Sequence, residues 1–412
     1  MVKFKKHFMI GVELKVLKTF ITTCTFYLNK KGLKVFMKKI LIFYASYGGG
    51  HLSAAKSIKQ YIDENYTDVQ TEMIDCVKYI NKALDKVTTA AYREMAKKAP
   101  WAWEKVYYKS QNGLLSKVST SSNKIMAVKM AKLFREFNPD IVISTHPFGS
   151  QMTSYLKQKG KTNCLLATIM TDFAPHEQWL IGNKFVDFYF VSNSSMKDKM
   201  VEDSIDENKI FVTGIPISNR FLQTYDKKEI CNLFELDENK KIVLFFAGGE
   251  YGLGKDKTVA ILDCLSDFND IQVIAIAGKN EKMKKEFEEI VAKKQKESTI
   301  KVLPFTDKVP ELMSISDLVI TKPGGLTTSE SLASSLPLII INPIPGQEEE
   351  NATFLGNAGC AVWLKKHDDP REILEKVLFN DDILSKMKEN SITLSKRNST
   401  KDICTTILSK NI

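Results

Sequence analysis

Two glycine-rich segments, each lying between an apolar run and a helical pattern, constrain the fold more than any other feature of the chain. The first, Ser46-Tyr-Gly-Gly-Gly-His51, follows an apolar run at residues 40–45. The second, Lys322-Pro-Gly-Gly325, follows a run at residues 318–320. A glycine turn that joins a buried strand to a helix is typical of parallel α/β units. The chain is therefore expected to contain two α/β halves, each with a glycine turn.

Apolar runs of strand length recur along both halves and alternate with helical patterns. A length of 412 residues favours two domains, and residues 214–217 read as the linker between them. We predict an α/β fold of two doubly wound, Rossmann-like domains facing across a cleft, with domains at residues 37–217 and 218–412. The predicted strands are 40–45, 69–75, 141–144, 164–170, 186–192, 210–213, 242–247, 273–277, 300–303, 318–320 and 338–341.

The segment from Lys322 to Asn351 has the composition of a site for a phosphate and a polyol. Unpaired N–H groups and the helix dipole at its glycine turn favour an anion, and Glu330 is placed to accept hydrogen bonds from ribose hydroxyls. Polar residues after the next strand, 346–351, lie where α/β sheets bind ligands. A further glycine turn at residues 248–252 is expected to cover a diphosphate. The donor-binding candidates are Gly249, Gly324, Gly325, Leu326, Thr327, Glu330, Gln347 and Glu348.

The first glycine turn ends in a histidine, which is expected to face the cleft between the domains. The helix dipole there favours a neutral imidazole, which can accept a proton from a hydroxyl. Two later strands also end in polar residues on the same rim. Catalysis is assigned to His51 and Asp172, and contact with an acceptor to His146, His176 and Trp179.

Cysteine and histidine usage argues against disulfides and zinc. The seven cysteines are scattered without a CxxC pair, and the five histidines show no HExxH spacing. We therefore expect a protein of the reducing cytosol with no metal ion and no cofactor.

Positive charge is concentrated in the N-terminal part of the chain. Residues 1–39 hold ten lysines and one glutamate, and residues 78–136 hold thirteen basic and four acidic residues. Residues 1–36 are expected to form a disordered basic extension, whose longest uncharged run is too short to span a membrane. Lysines interleaved with tryptophans suit an anionic membrane surface, although nucleic acid or a solvated helix face would give a similar pattern. The predicted membrane contacts are Trp101, Trp103, Lys97, Lys98, Lys105 and Lys109.

From about Lys38 to its end, the chain resembles the bacterial processive diacylglycerol glucosyltransferases and the plant monogalactosyldiacylglycerol synthases. The pattern PGG…E…PGQEEEN and the TD…H..W segment at Asp172, His176 and Trp179 carry this resemblance. It implies the GT-B architecture and inversion at the anomeric carbon without a metal ion. It also implies transfer of glucose or galactose from a UDP-sugar to diacylglycerol, with repeat addition, by a peripheral protein at the cytoplasmic face of the cell membrane. The matching histidine, His51, is the leading candidate for the base in that family, and no nucleic-acid partner is expected.

Two other functions are consistent with the same donor site. One is a different enzyme of this architecture, such as an N-acetylglucosaminyltransferase acting on a polyprenyl diphosphate lipid or a UDP-sugar epimerase. The TD…H..W segment argues against it. The other is a non-catalytic sensor of UDP-sugars, which turnover in the presence of lipid would exclude.

Membrane binding is expected to depend on the second basic zone rather than on the N-terminal extension. Each lysine near an anionic surface contributes about 1 kcal/mol, and this term is screened within a Debye length. Deletion of residues 1–36 should therefore leave most vesicle binding intact. Replacement of Lys97, Lys98, Lys105 and Lys109 by Glu should abolish it. Co-sedimentation with anionic vesicles at low and high salt measures the binding of both variants. If only the truncation released the protein from the vesicles, the N-terminal extension would be the membrane anchor.

Overall fold

The computed structural model describes residues 38–46, 49–80, 129–247 and 254–409. Several predictions fall outside these residues: the basic extension, most of the second basic zone and one donor-binding glycine. The site candidates concerned are Trp101, Trp103, Lys97, Lys98, Lys105, Lys109 and Gly249.

The first sheet is six-stranded and parallel throughout, in the order β2-β1-β3-β4-β5-β6. The inner strand at residues 38–44 shows why: four consecutive residues, 40–43, are all fully buried, as expected for a strand covered on both faces. The strands are β1 (Lys38–Tyr44), β2 (Val69–Asp75), β3 (Ile141–Ser144), β4 (Leu165–Ile169), β5 (Phe188–Val191) and β6 (Ile210–Val212).

The second sheet is also six-stranded and parallel, in the order β12-β11-β10-β7-β8-β9. Its last strand is missing from our prediction. The strands are β7 (Lys241–Phe246), β8 (Ile271–Gly278), β9 (Ile300–Pro304), β10 (Leu318–Thr321), β11 (Leu338–Ile340) and β12 (Ala361–Trp363). The predicted fold class is confirmed.

Helices cover both faces of the two sheets, and many begin at a side chain that accepts from the first turn. Asn280 and Asn380 are examples, since each Oδ1 accepts from an N–H three residues on. The first half contains α1 (Gly50–Asn65), α2 (Cys76–Ile80), α3 (129–137), α4 (Pro147–Gln158), α5 (Glu177–Leu180) and α6 (Ser194–Glu202). The second contains α7 (Lys227–Leu233), α8 (Lys255–Leu265), α9 (Glu281–Lys293), α10 (Val309–Ile315), α11 (Gly325–Ala333), α12 (Gln347–Asn357), α13 (Pro370–Leu378), α14 (Asp381–Leu394) and α15 (Ser399–Leu408).

The last helix, α15, returns to the first sheet. Ile403 and Ile407 are fully buried in the same apolar cluster as residues of β1. At its start, Ser399 Oγ donates to Ile215 O at 2.8 Å and Thr400 Oγ1 donates to Ile217 O at 2.7 Å. The chain end thus holds the linker by hydrogen bonds. The division at residues 217 and 218 stays a prediction, and α15 packs across it.

Both strand orders contain a point where the direction of winding reverses. In the first sheet it lies between β1 and β3, and in the second between β7 and β10. Doubly wound sheets bind ligands at the carboxyl ends of the strands at this point. His51 follows β1 and Lys322 follows β10, so the two glycine turns noted in the sequence lie at the two places where the topology favours a site.

Candidate active site at the domain junction

The two glycine turns face each other across the junction. A Cβ added to Gly325 would lie 1.9 Å from the carbonyl oxygen of Thr171, which follows β4 in the opposite sheet. A Cβ added to Gly50 would lie 3.3 Å from Leu326 Cδ2. Gly325 therefore permits a backbone approach that no residue with a side chain could make.

The second glycine turn leaves several main-chain donors free. Helix α11 has Gly324 as its N-cap, which offers no capping side chain, and its first internal bond runs from Thr328 N to Gly324 O at 3.0 Å. In the described part of the chain, no acceptor faces the N–H groups of Gly325, Leu326 and Thr327. Three free donors at a helix N-terminus form an anion site.

Glu330 lies one turn further along α11 and is partly buried. Burial raises the pKa of its carboxyl to about 8. Among the described residues this carboxyl has no hydrogen-bond or ion-pair partner. A buried carboxyl without a partner is costly, so Glu330 has the properties of a group that is completed by a ligand.

Lys322 is a functional candidate that our sequence analysis did not assign, although it directly precedes the glycine turn. Burial lowers the pKa of its ammonium, and the negative charge of Glu348 opposes this shift. No ion pair within 4 Å is formed by Lys322 in the described residues. Glu348 instead accepts from Ile344 N at 2.6 Å, and its Oε1 lies 3.9 Å from the position of a Cβ on Gly324. The ammonium is thus close to the anion site and lacks an anionic partner.

His51 is held as one defined tautomer. Its Nδ1 lies 2.6 Å from the carbonyl oxygen of Thr145 and 3.0 Å from Thr171 Oγ1. A carbonyl oxygen can only accept, so Nδ1 carries the proton and Nε2 keeps its lone pair. Burial lowers the pKa of His51 to about 4, against the raising effect of the Thr145 hydrogen bond. At neutral pH the ring is therefore an uncharged proton acceptor.

The other two candidate histidines have the opposite tautomer. His146 Nδ1 accepts from Phe148 N at 3.2 Å, and His176 Nδ1 accepts from Gln178 N at 3.1 Å. Each imidazole caps a helix, and when neutral it carries its proton on Nε2. Burial lowers both pKa values, that of His176 to about 4. These rings can donate a hydrogen bond but are poor candidates for the base.

Asp172 lies where the first sheet meets α12. Burial raises the pKa of its carboxyl to about 6, and hydrogen bonds from the side chains of Gln347 and Asn351 oppose this shift. The charges of Glu348 and Glu350 raise it further. Gln347, predicted to bind the donor, thus already forms a hydrogen bond with Asp172.

The structure brings two of the candidates on the first sheet's rim, His146 and Trp179, next to His51. The rings of His51 and His146 are perpendicular, with centroids 4.7 Å apart. Trp179 is 2% exposed and packs in the core, with its ring centroid 6.5 Å from that of His51. Its buried position supports the His51 ring, and its contact with an acceptor stays a prediction. No cluster of potential metal ligands occurs in the described ranges, and none of the helices described there is long and apolar enough to cross a membrane.

Solved structures of other proteins have a similar architecture. MurG from Acinetobacter baumannii aligns with a TM-score of 0.61 at 13% identity, over 90% of this chain and 100% of that one. UDP-GlcNAc 2-epimerase from Neisseria meningitidis, bound to UDP-GlcNAc, aligns with a TM-score of 0.59 at 14% identity, over 91% and 100%. At these identities the likeness establishes the fold, which is that of the GT-B glycosyltransferases.

Sequence comparison identifies the family. Residues 51–217 match the monogalactosyldiacylglycerol synthase model, and residues 248–407 match the glycosyltransferase family 28 C-terminal domain. The processive diacylglycerol beta-glucosyltransferases of Bacillus licheniformis and Bacillus subtilis are each 30% identical over 91% of this chain, covering 95% and 96% of those proteins. The chain belongs to this family of diacylglycerol glycosyltransferases, which confirms the resemblance inferred from the motifs.

The raised pKa of Glu330 predicts a pH-dependent stability difference from a Glu330→Gln variant. The folded state binds the proton more tightly than the unfolded chain, so this contribution is present below the ordinary value of 4.5 and is lost as the pH rises through about 8. The variant mimics the protonated carboxyl. Its melting temperature should match the wild type near pH 5 and exceed it increasingly up to pH 8.

The matched control is Glu372→Gln, because Glu372 is exposed on α13. That variant should follow the wild type at both pH values. A Glu330→Gln variant that shows no widening gap would mean that Glu330 has an anion-stabilising partner in the folded protein.

Proposed function

We propose that the protein transfers glucose from UDP-glucose to the hydroxyl of diacylglycerol, and then adds a second glucose to the product. The observation that carries this is the meeting of a free anion site with a neutral histidine base across one junction. Family membership supplies the substrate class, since the related proteins are named diacylglycerol beta-glucosyltransferases.

The donor is bound by the second domain. The N–H groups of Gly325, Leu326 and Thr327 bind the diphosphate, and Lys322 supplies a positive charge beside it. Glu330 binds the ribose hydroxyls, which give its carboxyl the partner it lacks in the described residues. Glu348, whose carboxylate lies beside Gly324, and Gln347 bind the sugar hydroxyls.

The acceptor is activated by the first domain. Its hydroxyl gives its proton to His51 Nε2, the ring atom left free by the bond from Nδ1 to Thr145. The oxygen attacks the anomeric carbon as the bond from that carbon to UDP breaks, so the configuration inverts. Asp172 is the alternative base, but both its amide neighbours already bond to its carboxylate.

The departing UDP gains negative charge, which must be stabilised in the transition state. The helix N-terminus of α11 and the Lys322 ammonium supply the positive potential that a divalent cation provides in other sugar transferases. We therefore propose that catalysis proceeds without a metal ion or cofactor.

The acceptor is a bilayer lipid, so the enzyme must meet it at a membrane. We propose that the basic zone at residues 78–136 binds the anionic cytoplasmic face of the cell membrane peripherally, with Trp101 and Trp103 inserted among the headgroups. The support is the charge and aromatic pattern of the sequence together with the chemistry of the acceptor.

The direct test is incubation with labelled UDP-glucose and diacylglycerol vesicles, followed by chromatography of the lipids. Labelled monoglucosyl and then diglucosyl lipid are expected, and a His51→Ala variant should be slower by about 100-fold or more. A parallel reaction with UDP-galactose tests the sugar. Binding of UDP without labelled lipid from either donor would overturn the proposal in favour of a sensor.

Comparison of UDP with uridine isolates the role of Lys322. Loss of a charged hydrogen-bond donor costs about 1.5–3 kcal/mol, so Lys322→Met should weaken UDP binding by about 10- to 100-fold. Uridine lacks the diphosphate, and its affinity should not change. Titration calorimetry measures both, and Lys322→Arg is the control that keeps the charge. Equal loss for UDP and uridine would place Lys322 away from the diphosphate.

A further inference from the structure

Asn351 is fully buried at the junction, in the first half of α12. Its Oδ1 accepts from Phe173 N at 2.9 Å, and its Nδ2 donates to Pro323 O at 2.9 Å. Phe173 follows β4 in the first sheet, whereas Pro323 belongs to the glycine turn after β10. One side-chain amide therefore joins the main chains of the two opposing rims.

The same amide also bonds to Asp172. A carboxamide has two N–H donors, so one remains for the Asp172 carboxylate after the bond to Pro323 O. The main chain at Asp172 is held as well, because Ser192 Oγ donates to Asp172 O at 2.8 Å. No other side chain of similar size can accept one hydrogen bond from the first rim and also donate two, one to each rim.

We propose that Asn351 is a positioning residue that couples the donor turn to Asp172, holding this carboxylate ionised and correctly oriented while the two rims are together. The inference rests on the proposed function and deepens it, since it assigns Asp172 an electrostatic task in the same reaction. Asp172 does not need to be the base; as an anion beside the junction it stabilises the positive charge that develops on the His51 side.

The charged and polar groups around Asp172 show why the Asn351 amide affects the ionisation of this carboxyl. From α12 the carboxylate is faced by Glu348 and Glu350, which disfavour its charge, and by the Gln347 amide, which favours it. From its own rim, the neighbouring Thr171 hydroxyl lies 3.0 Å from His51 Nδ1, and that ring is neutral. Burial favours the protonated form of Asp172, whereas the hydrogen bonds from Gln347 and Asn351 favour the carboxylate.

The test is the pH dependence of kcat at saturating UDP-glucose for the wild type and Asn351→Asp. A carboxylate at position 351 removes the donor to Asp172 and adds a like charge, so the acid limb of the profile should move to higher pH by about one unit or more. At pH 7 the variant should be slow, and raising the pH should restore part of the loss. Affinity for UDP should fall by less than kcat at pH 7, because Glu330, Lys322 and the helix N-terminus are unchanged.

The matched control is Asn357→Asp, the same chemical change at an exposed position of the same helix. It should retain the wild-type profile. Asn351→Ala removes the hydrogen bond without adding charge and should give a smaller shift than Asn351→Asp.

Two results would overturn the inference. One is a wild-type pH profile for Asn351→Asp, and the other is a loss of kcat that is equal at every pH, which is the behaviour of a residue with a packing role alone. Unfolding midpoints of the variants identify misfolding. Failure of the proposed function is a separate outcome, in which the wild type itself forms no glycolipid.

Discussion

The contact between Gly325 and the carbonyl of Thr171 is the constraint on which the rest of the site depends. A backbone approach this close is open only to glycine, and it brings the switch points of two separate sheets together. The N-terminus of α11, whose first N–H groups have no acceptor among the described residues, then lies opposite the rim that carries His51. Asn351 reinforces the contact with hydrogen bonds to both rims. Neither half would form a reaction centre alone, because the anion site belongs to one sheet and the neutral imidazole to the other.

Burial determines the charge of the groups at this junction. It keeps His51 and His176 neutral, with pKa values of about 4, and raises the carboxyl pKa values of Asp172 and Glu330 to about 6 and about 8. Burial in the same region lowers the pKa of the Lys322 ammonium. In the proposed reaction, a diphosphate gives this ammonium its partner and a ribose gives Glu330 its partner. Donor binding thus removes two electrostatic costs.

The fold could be predicted from the sequence because buried parallel strands are near-continuous apolar runs bounded by turns. Eleven of the strands follow runs that we predicted, and β12 was missed. Glycine turns and polar strand ends also indicated where the donor and the base would lie. Lys322 and Asn351 were not assigned, since their importance comes from partners far apart in the chain. Asn351 is 178 residues from Phe173, and no local pattern encodes that contact. The packing of α15 against the first sheet also joins residues far apart in the chain, so no local pattern predicts it.

The most direct measurement of the central claim is the glucosyl transfer rate of Gly325→Ala beside that of Gly356→Ala. The added methyl group at position 325 must displace the Thr171 backbone, which should cost about 1–3 kcal/mol of stability, and a shift of about 1 Å at the reacting groups should slow transfer by about 100-fold. Gly356 lies in α12 with no heavy atom within 4 Å of an added Cβ, so its variant should be as active as the wild type and slightly more stable. Equal rates for the two variants would contradict the account, because the reaction centre would then not depend on the close approach of the two rims.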